Sequence, residues 1–292
     1  MHKRQVLLAG AALPFLHLIH SAGAAVMVGT VKVMYAGSLV NLMEYDIGPA
    51  FDTDEHGKFE GFAAGSNRLA NEIKGRLRRG DVFISANPEV NHDLMGSANG
   101  DWVEWYVTFA QSPLVIGYNP SSRFAADLKS KPWYEVLQDP GIRIGRTNPK
   151  LDPKGKLAIE LMQKAAQIYR LPDLSQHVLG AAENPAQVFP EEDLVGRLQS
   201  GKLDVGFFYS TETAELKIPA VTLPPEMKFS AHYTVTVLRD APNPAGAAEF
   251  IDFLLAPDGR ALMRQHGLDL VNPSIEGDAG KVPPAVQSAL HK

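Results

Sequence analysis

From Val31 onward, short alternating runs and longer helical runs take turns along the chain. In VKVMYAG, Val31, Val33 and Tyr35 face one way between Lys32 and Met34, and the alternation stops at Ala36-Gly37-Ser38. Helix-compatible residues follow at once, so VKVMYAG is predicted as a strand and SLVNLMEYDIGPAF as a helix running towards Pro49. The device recurs. KFEGFAAG has the strand pattern, and Gly65-Ser66 opens a helix with Leu69, Ile73 and Leu77 at four-residue spacing, stopping near Gly80. Further strands are expected at DVFISA, SPLVIGYNP, IRIGRTNP, LDVGFFYS and HYTVTVL. Further helices are expected at KGKLAIELMQKAAQIY, EEDLVGRLQSG and PAGAAEFIDFLLAPDGRALMRQHG. This alternation predicts an α/β protein with mostly parallel sheets covered by helices on both faces. Ligands of such sheets sit at the carboxyl ends of the strands, where both Gly-Ser pairs fall.

The first residues stand outside this pattern. His2, Lys3 and Arg4 precede the apolar run VLLAGAALPFLHLI, and Ala22-Gly23-Ala24 suits signal cleavage. The expectation is a signal peptide over 1–24 and a periplasmic protein. Without those residues the chain has 26 basic and 33 acidic residues, a charge of −7 with histidines neutral. Such a surface is a poor match for nucleic acid. The sequence contains no cysteine, which excludes disulfides, thiolate metal sites, a cysteine nucleophile and a lipidated cysteine.

The chemistry available at the strand ends is anion capture. A helix N-terminus carries unpaired N–H groups and partial positive charge, glycine permits close approach, and a serine hydroxyl adds a donor. Ser38 and Ser66 are the candidates, although serine is equally a good N-cap. Three later residues can close the cage: Asp152 in NPKLDPKG, Glu191 at the start of EEDLVGRL, and Tyr209 at the end of VGFFY. Each has a plainer role open to it: a turn residue before proline, an acid favoured by the helix dipole, and a core aromatic. The sequence holds no H-E-x-x-H, G-x-S-x-G or G-x-x-x-x-G-K-[ST] motif. His56, His92 and His232 are far apart in sequence. A hydrolase would need Ser38 or Ser66 beside His232, and a ferric-ion receptor would need adjacent tyrosines where FFYS supplies one.

Taken in order, VMYAGSL, GFAAGSNRLANEI, GDVFISAN, NPKLDPKG and EEDLVGRLQSG…FFYS resemble the periplasmic binding proteins of molybdate/tungstate ABC transporters, in their archaeal branch, over about residues 31 to 270. The resemblance implies a two-lobed type II periplasmic binding protein, with lobe one formed by 25–112 and 210–292 and lobe two by 113–209. It implies a monomer that closes on tungstate or molybdate, needs no cofactor, performs no reaction and docks on an inner-membrane permease. It also implies ligand contacts from Ser38, Ser66, Asp152, Glu191 and Tyr209, with Asp152 and Glu191 approaching the metal of the oxyanion. The chain departs from the family pattern at Lys154, where the archaeal proteins usually have a small residue after Asp-Pro.

Overall fold

The computed structural model describes residues 29–53 and 57–290. The expected signal segment over 1–24, and His56, lie outside the described residues. Among the described residues there are nine strands: β1 Thr30–Ala36, β2 Lys58–Ala64, β3 Val82–Ser85, β4 Trp105–Tyr118, β5 Ile144–Gly145, β6 Val205–Tyr209, β7 Ala220–Val221, β8 Ser230–Val237 and β9 Asp269–Gly277. They join in the order β2-β1-β3-β8-β4-β6-β5, with β7 and β9 also pairing β4.

β4 holds the molecule together. Its first part, from Trp105 to Pro113, pairs with β8 and β9, whereas Leu114 to Tyr118 pairs with β6 and β7. One continuous strand thus serves two sheets, and each sheet is the centre of a lobe. Ser112 sits at the changeover, its hydroxyl 3.1 Å from those of both Ser210 and Thr211. β7, although it follows residue 210, lies on the second sheet beside Ile116 and Gly117.

The expectation of mostly parallel sheets needs correction. β1–β2, β1–β3 and β5–β6 are parallel, but the other five described pairings are antiparallel. The reason is connectivity: strands entering a lobe from its neighbour arrive at the opposite end of the sheet from those wound within it. Parallel pairing survives only where a helix carries the chain back across one lobe.

The helices follow their patterns with two informative differences. The first helical stretch runs past Pro49 to Thr53. At Met43–Ile47 it widens to π geometry, so that Gly48 N–H bonds the carbonyl of Met43. Proline lacks an N–H and crowds the preceding turn, and the extra residue in that turn accommodates it. The helix Ser66–Lys74 stops well before Gly80. Arg76 takes a left-handed φ of 53°, and Leu77 N–H returns to the carbonyl of Glu72, closing the end. Leu77, expected on the buried face, is therefore 80% exposed. The C-terminal helix expected over 244–267 is broken at Ala256–Pro257 into Pro244–Leu255 and Pro257–Gln265.

Candidate functional site

Both Gly-Ser pairs occupy the predicted place. Ala36 ends β1 and Ala64 ends β2, neighbours in register, so the two loops leave the sheet side by side. Neither serine hydroxyl caps its own helix. Ser38 Oγ lies 2.9 Å from the hydroxyl of Tyr233 on β8, and Ser66 Oγ accepts from Ala86 N–H at 3.0 Å. Ser66 keeps its own proton to donate.

The glycines are where the lobes meet. A Cβ on Gly37 would run into the side chain of Glu191. One on Gly65 would lie 2.5 Å from the Leu151 carbonyl and 3.0 Å from Asp152 Oδ2. Arg68 N–H, in the first turn of its helix, bonds the same Leu151 carbonyl at 3.0 Å. The two loops of lobe one thus close directly on the two acids of lobe two. A cavity of about 230 Å³, bordered by Gly65, Arg68, Thr147, Asp152, Phe189 and Glu191, opens along this seam.

Behind the seam lies a buried polar cluster. Asp152 caps the helix Pro153–Ile168, its Oδ1 accepting from Lys154 N–H at 2.7 Å, with Pro153 at the first helical position. Lys154, at 1% exposure, turns its ammonium inward. Its Nζ donates to Glu191 Oε1 at 2.6 Å and to both oxygens of Glu212, at 2.9 and 2.8 Å. Glu212 Oε2 also accepts from Tyr209 N–H at 2.7 Å, which ties the end of β6 to the lysine. The ring of Tyr209 lies 5.1 Å from Nζ, and its ring centroid is 6.3 Å from that of Tyr233. Asp152, Glu191 and Tyr209 thus gather around Lys154, Ser38 reaches the group through Tyr233, and Ser66 stands beside Gly65 with its hydroxyl on Ala86.

Tyr209 Oη and Glu191 Oε2 lack a hydrogen-bond partner there, as does Thr147 Oγ1 on the wall of the cavity. An unsatisfied buried polar atom costs about 1–3 kcal/mol, so atoms left in this state point to something that completes them. Protonation states shift accordingly. Burial, then the neighbouring Glu191, pushes the Asp152 carboxyl well above its ordinary range, against the pull of Lys154. A proton on Asp152 can hydrogen-bond Glu191, whose Oε2 otherwise finds no donor. Burial raises Glu212 to about 7 although Lys154 opposes it. For Lys154, burial acts downward, but Glu191, Glu212 and Asp152 outweigh it and hold the ammonium charged. The Tyr209 phenol is raised first by burial and then by Asp152, and remains a neutral donor.

Sequence reasoning missed three participants. Glu212 follows Tyr209 by one helical turn, and an acid at the third position of a helix was the available signal. Tyr233 stands in the predicted strand HYTVTVL, but nothing in the pattern aims its hydroxyl at Ser38. Lys154 read as a departure of unknown orientation, and it is the hub. The hydrolase arrangement is not formed. Neither serine hydroxyl bonds a histidine, His232 is exposed, and His92 instead meets Tyr106 and Glu276. Among the described residues no cluster of His, Cys, Asp and Glu has the form of a metal-ion site, and no helix is long and apolar enough to cross a membrane.

Comparison with known proteins agrees with this architecture. The chain is 29% identical over 296 residues to an uncharacterized solute-binding protein of Petrotoga mobilis, covering 90% of each. It is 26% identical over 280 residues to the molybdate/tungstate-binding protein WtpA of Thermococcus kodakarensis, covering 80% of this chain and 78% of that one. Its fold matches the periplasmic molybdate-binding protein of Azotobacter vinelandii with a TM-score of 0.65 at 18% identity, over 82% of this chain and 99% of that one. The bacterial extracellular solute-binding protein family matches residues 31–269. With nearly all the described residues inside that match, this chain belongs to the bacterial extracellular solute-binding proteins, and its work is to bind a ligand rather than transform one.

Proposed function

We propose that the protein captures tungstate or molybdate between its lobes and hands it to the permease of an ABC importer in the inner membrane. Lobe one is 25–112 with 210–292 and lobe two is 113–209, the short β7 excepted. In this reading the precursor is exported, loses its signal near Ala24, and works in the periplasm as a monomer. Ser38, Ser66 and Tyr209 donate to the oxyanion, and Asp152 and Glu191 approach its metal. The observation that carries the reading is Tyr209 Oη, buried without a partner, beside Glu191 Oε2, which has no donor other than a proton on Asp152, in a cluster closed over by two glycine loops. One is a donor for an oxo group and the other a hard oxygen ligand. The relative named as a molybdate/tungstate-binding protein supports the same ligand class.

Carboxylates facing a dianion need a reason. Two unit charges about 4 Å apart repel by roughly 4 kcal/mol at an effective dielectric of about 20. Molybdenum(VI) and tungsten(VI) accept additional oxygen ligands, so the acids bond the metal and turn repulsion into attraction. Sulfate and phosphate cannot expand in this way and meet only the repulsion. Calorimetric titration with tungstate, molybdate and sulfate tests the reading. Tight tungstate binding with weak sulfate binding is expected, and in Asp152→Ala/Glu191→Ala tungstate should weaken while sulfate does not, so that the two affinities approach each other. Equal affinity of the unaltered protein for sulfate and tungstate would remove the coordination argument and favour a tetrahedral anion held by hydroxyl and backbone donors alone.

A further inference from the structure

Each of the two acids has one oxygen engaged, and both engagements come from the same residue. Lys154 N–H holds Asp152 Oδ1 at 2.7 Å, and Lys154 Nζ holds Glu191 Oε1 at 2.6 Å. What remains is Asp152 Oδ2, which faces Gly65, and Glu191 Oε2, whose one available donor is a proton on Asp152 that leaves when the ligand's metal takes its place. The same ammonium grips Glu212 by both oxygens, and Glu212 holds the backbone of Tyr209. Every second-lobe group expected to meet the ligand is therefore oriented, directly or through one intermediary, by Lys154. At 1% exposure its ammonium has no route to solvent, and it makes all three of its bonds inside the cluster.

We propose that Lys154 is the specificity-determining residue of the site: it withholds one oxygen of each acid and presents the other, one from Asp152 and one from Glu191, to the ligand. This rests on the oxyanion reading above and adds what selects among oxyanions. A metal centre that gains two oxygens needs two single-oxygen donors held apart. Carboxylates free to rotate offer four oxygens and an uncompensated charge, which repels every dianion without rewarding the one that can coordinate. Lys154 is a positioning residue in this scheme, since its charge is consumed by Glu191 and Glu212 before any ligand arrives.

The test compares the unaltered protein with Lys154→Met and with Lys154→Met/Glu212→Gln, by calorimetric titration with tungstate and with sulfate and by melting. The double variant removes one positive and one negative charge together, so the site keeps its net charge and the methionine stem fills the lysine's space. That variant remains informative if the single one does not fold. In both, tungstate affinity should fall by roughly 30-fold while sulfate changes far less, so the tungstate-to-sulfate ratio collapses. An unchanged ratio in a folded variant overturns the proposal. Recovery of the ratio in the double variant alone also overturns it, because Lys154 would then act only as a counter-charge. If the unaltered protein binds neither tungstate nor molybdate, the oxyanion reading falls and this inference with it. A purely structural lysine would shift melting and weaken both anions in parallel, leaving the ratio where it was.

Discussion

Tyr209 illustrates how a residue's role can be separated from its packing. Its ring is buried in the core, but its hydroxyl bonds nothing. Tyr209→Phe should therefore leave the empty protein as stable or about 1 kcal/mol more stable in urea unfolding, because an unsatisfied buried group is removed. The same change should weaken tungstate binding roughly tenfold, the opposite of what a structural hydroxyl would do. Glu212 carries a pH signature. Its folded carboxyl holds a proton up to about 7, above its unfolded value, so the folded state is favoured at acid pH. Stability from this group declines as pH rises from about 4.5 through about 7. Unfolding free energies measured at pH 5 to 8 should show that decline, and Glu212→Gln should flatten it, with a residual slope from Asp152, which is raised for the same reason. Of these side chains, Ser38 and Ser66 stand out at junctions that local pattern announces, whereas the choice of Asp152, Glu191 and Tyr209 over their neighbours came from the family resemblance. Tyr233 could not be picked out, since a strand pattern says which face is buried but not which hydroxyl meets a residue almost two hundred positions away.

At the scale of elements, the strand–helix junctions did the positioning and were the most legible feature of the chain. Alternation ended at Ala36 and Ala64, as the paired strands do. What the pattern misjudged were elements whose limits depend on tertiary contacts. Leu69-Ile73-Leu77 reads as one helical face, but left-handed Arg76 cuts it short. β9 went unseen because Asn272, Pro273 and Ser274 interrupt its apolar positions, and it exists by pairing with β4. The start of the helix Ser66–Lys74 makes a direct prediction. Its preceding Gly65 lies so close to Leu151 and Asp152 that a methyl group cannot fit with the lobes in contact. Gly65→Ala should hold them apart and reduce tungstate affinity by at least about tenfold, with the melting temperature of the empty protein nearly unchanged. A melting temperature that fell steeply would place the clash within one lobe instead of between two.

For the whole molecule, the two-lobed organisation follows from β4 and from where its neighbours attach. The sequence suggested two lobes only through a resemblance, because no linker or composition shift marks the crossing. The reason is physical: the connection is a strand, buried and patterned like any other, with Pro113 among its residues. The lobes also touch through side chains at the rim. Lys156 Nζ meets Glu89 at 2.7 Å and Arg68 meets Glu192 at 3.6 Å, all four being substantially exposed. Such pairs contribute about 0–1 kcal/mol. Lys156→Ala should therefore lower tungstate affinity by less than about fivefold, and the effect should fade in 0.5 M salt, whereas that of Gly65→Ala should not.

The sharing of β4 also dictates an order of assembly. Lobe two draws its strands, the second half of β4 with β5, β6 and β7, from one continuous stretch, so it can form while the rest of the chain is still emerging. β3 of lobe one must wait for its neighbour, because Ser85 pairs with Thr234 and β8 comes near the end. Loop closure over so long a span is slow, and nascent β1 to β3 stay unpaired on that side until synthesis is almost complete. A chain that has to be threaded across a membrane before it folds would gain time from that delay.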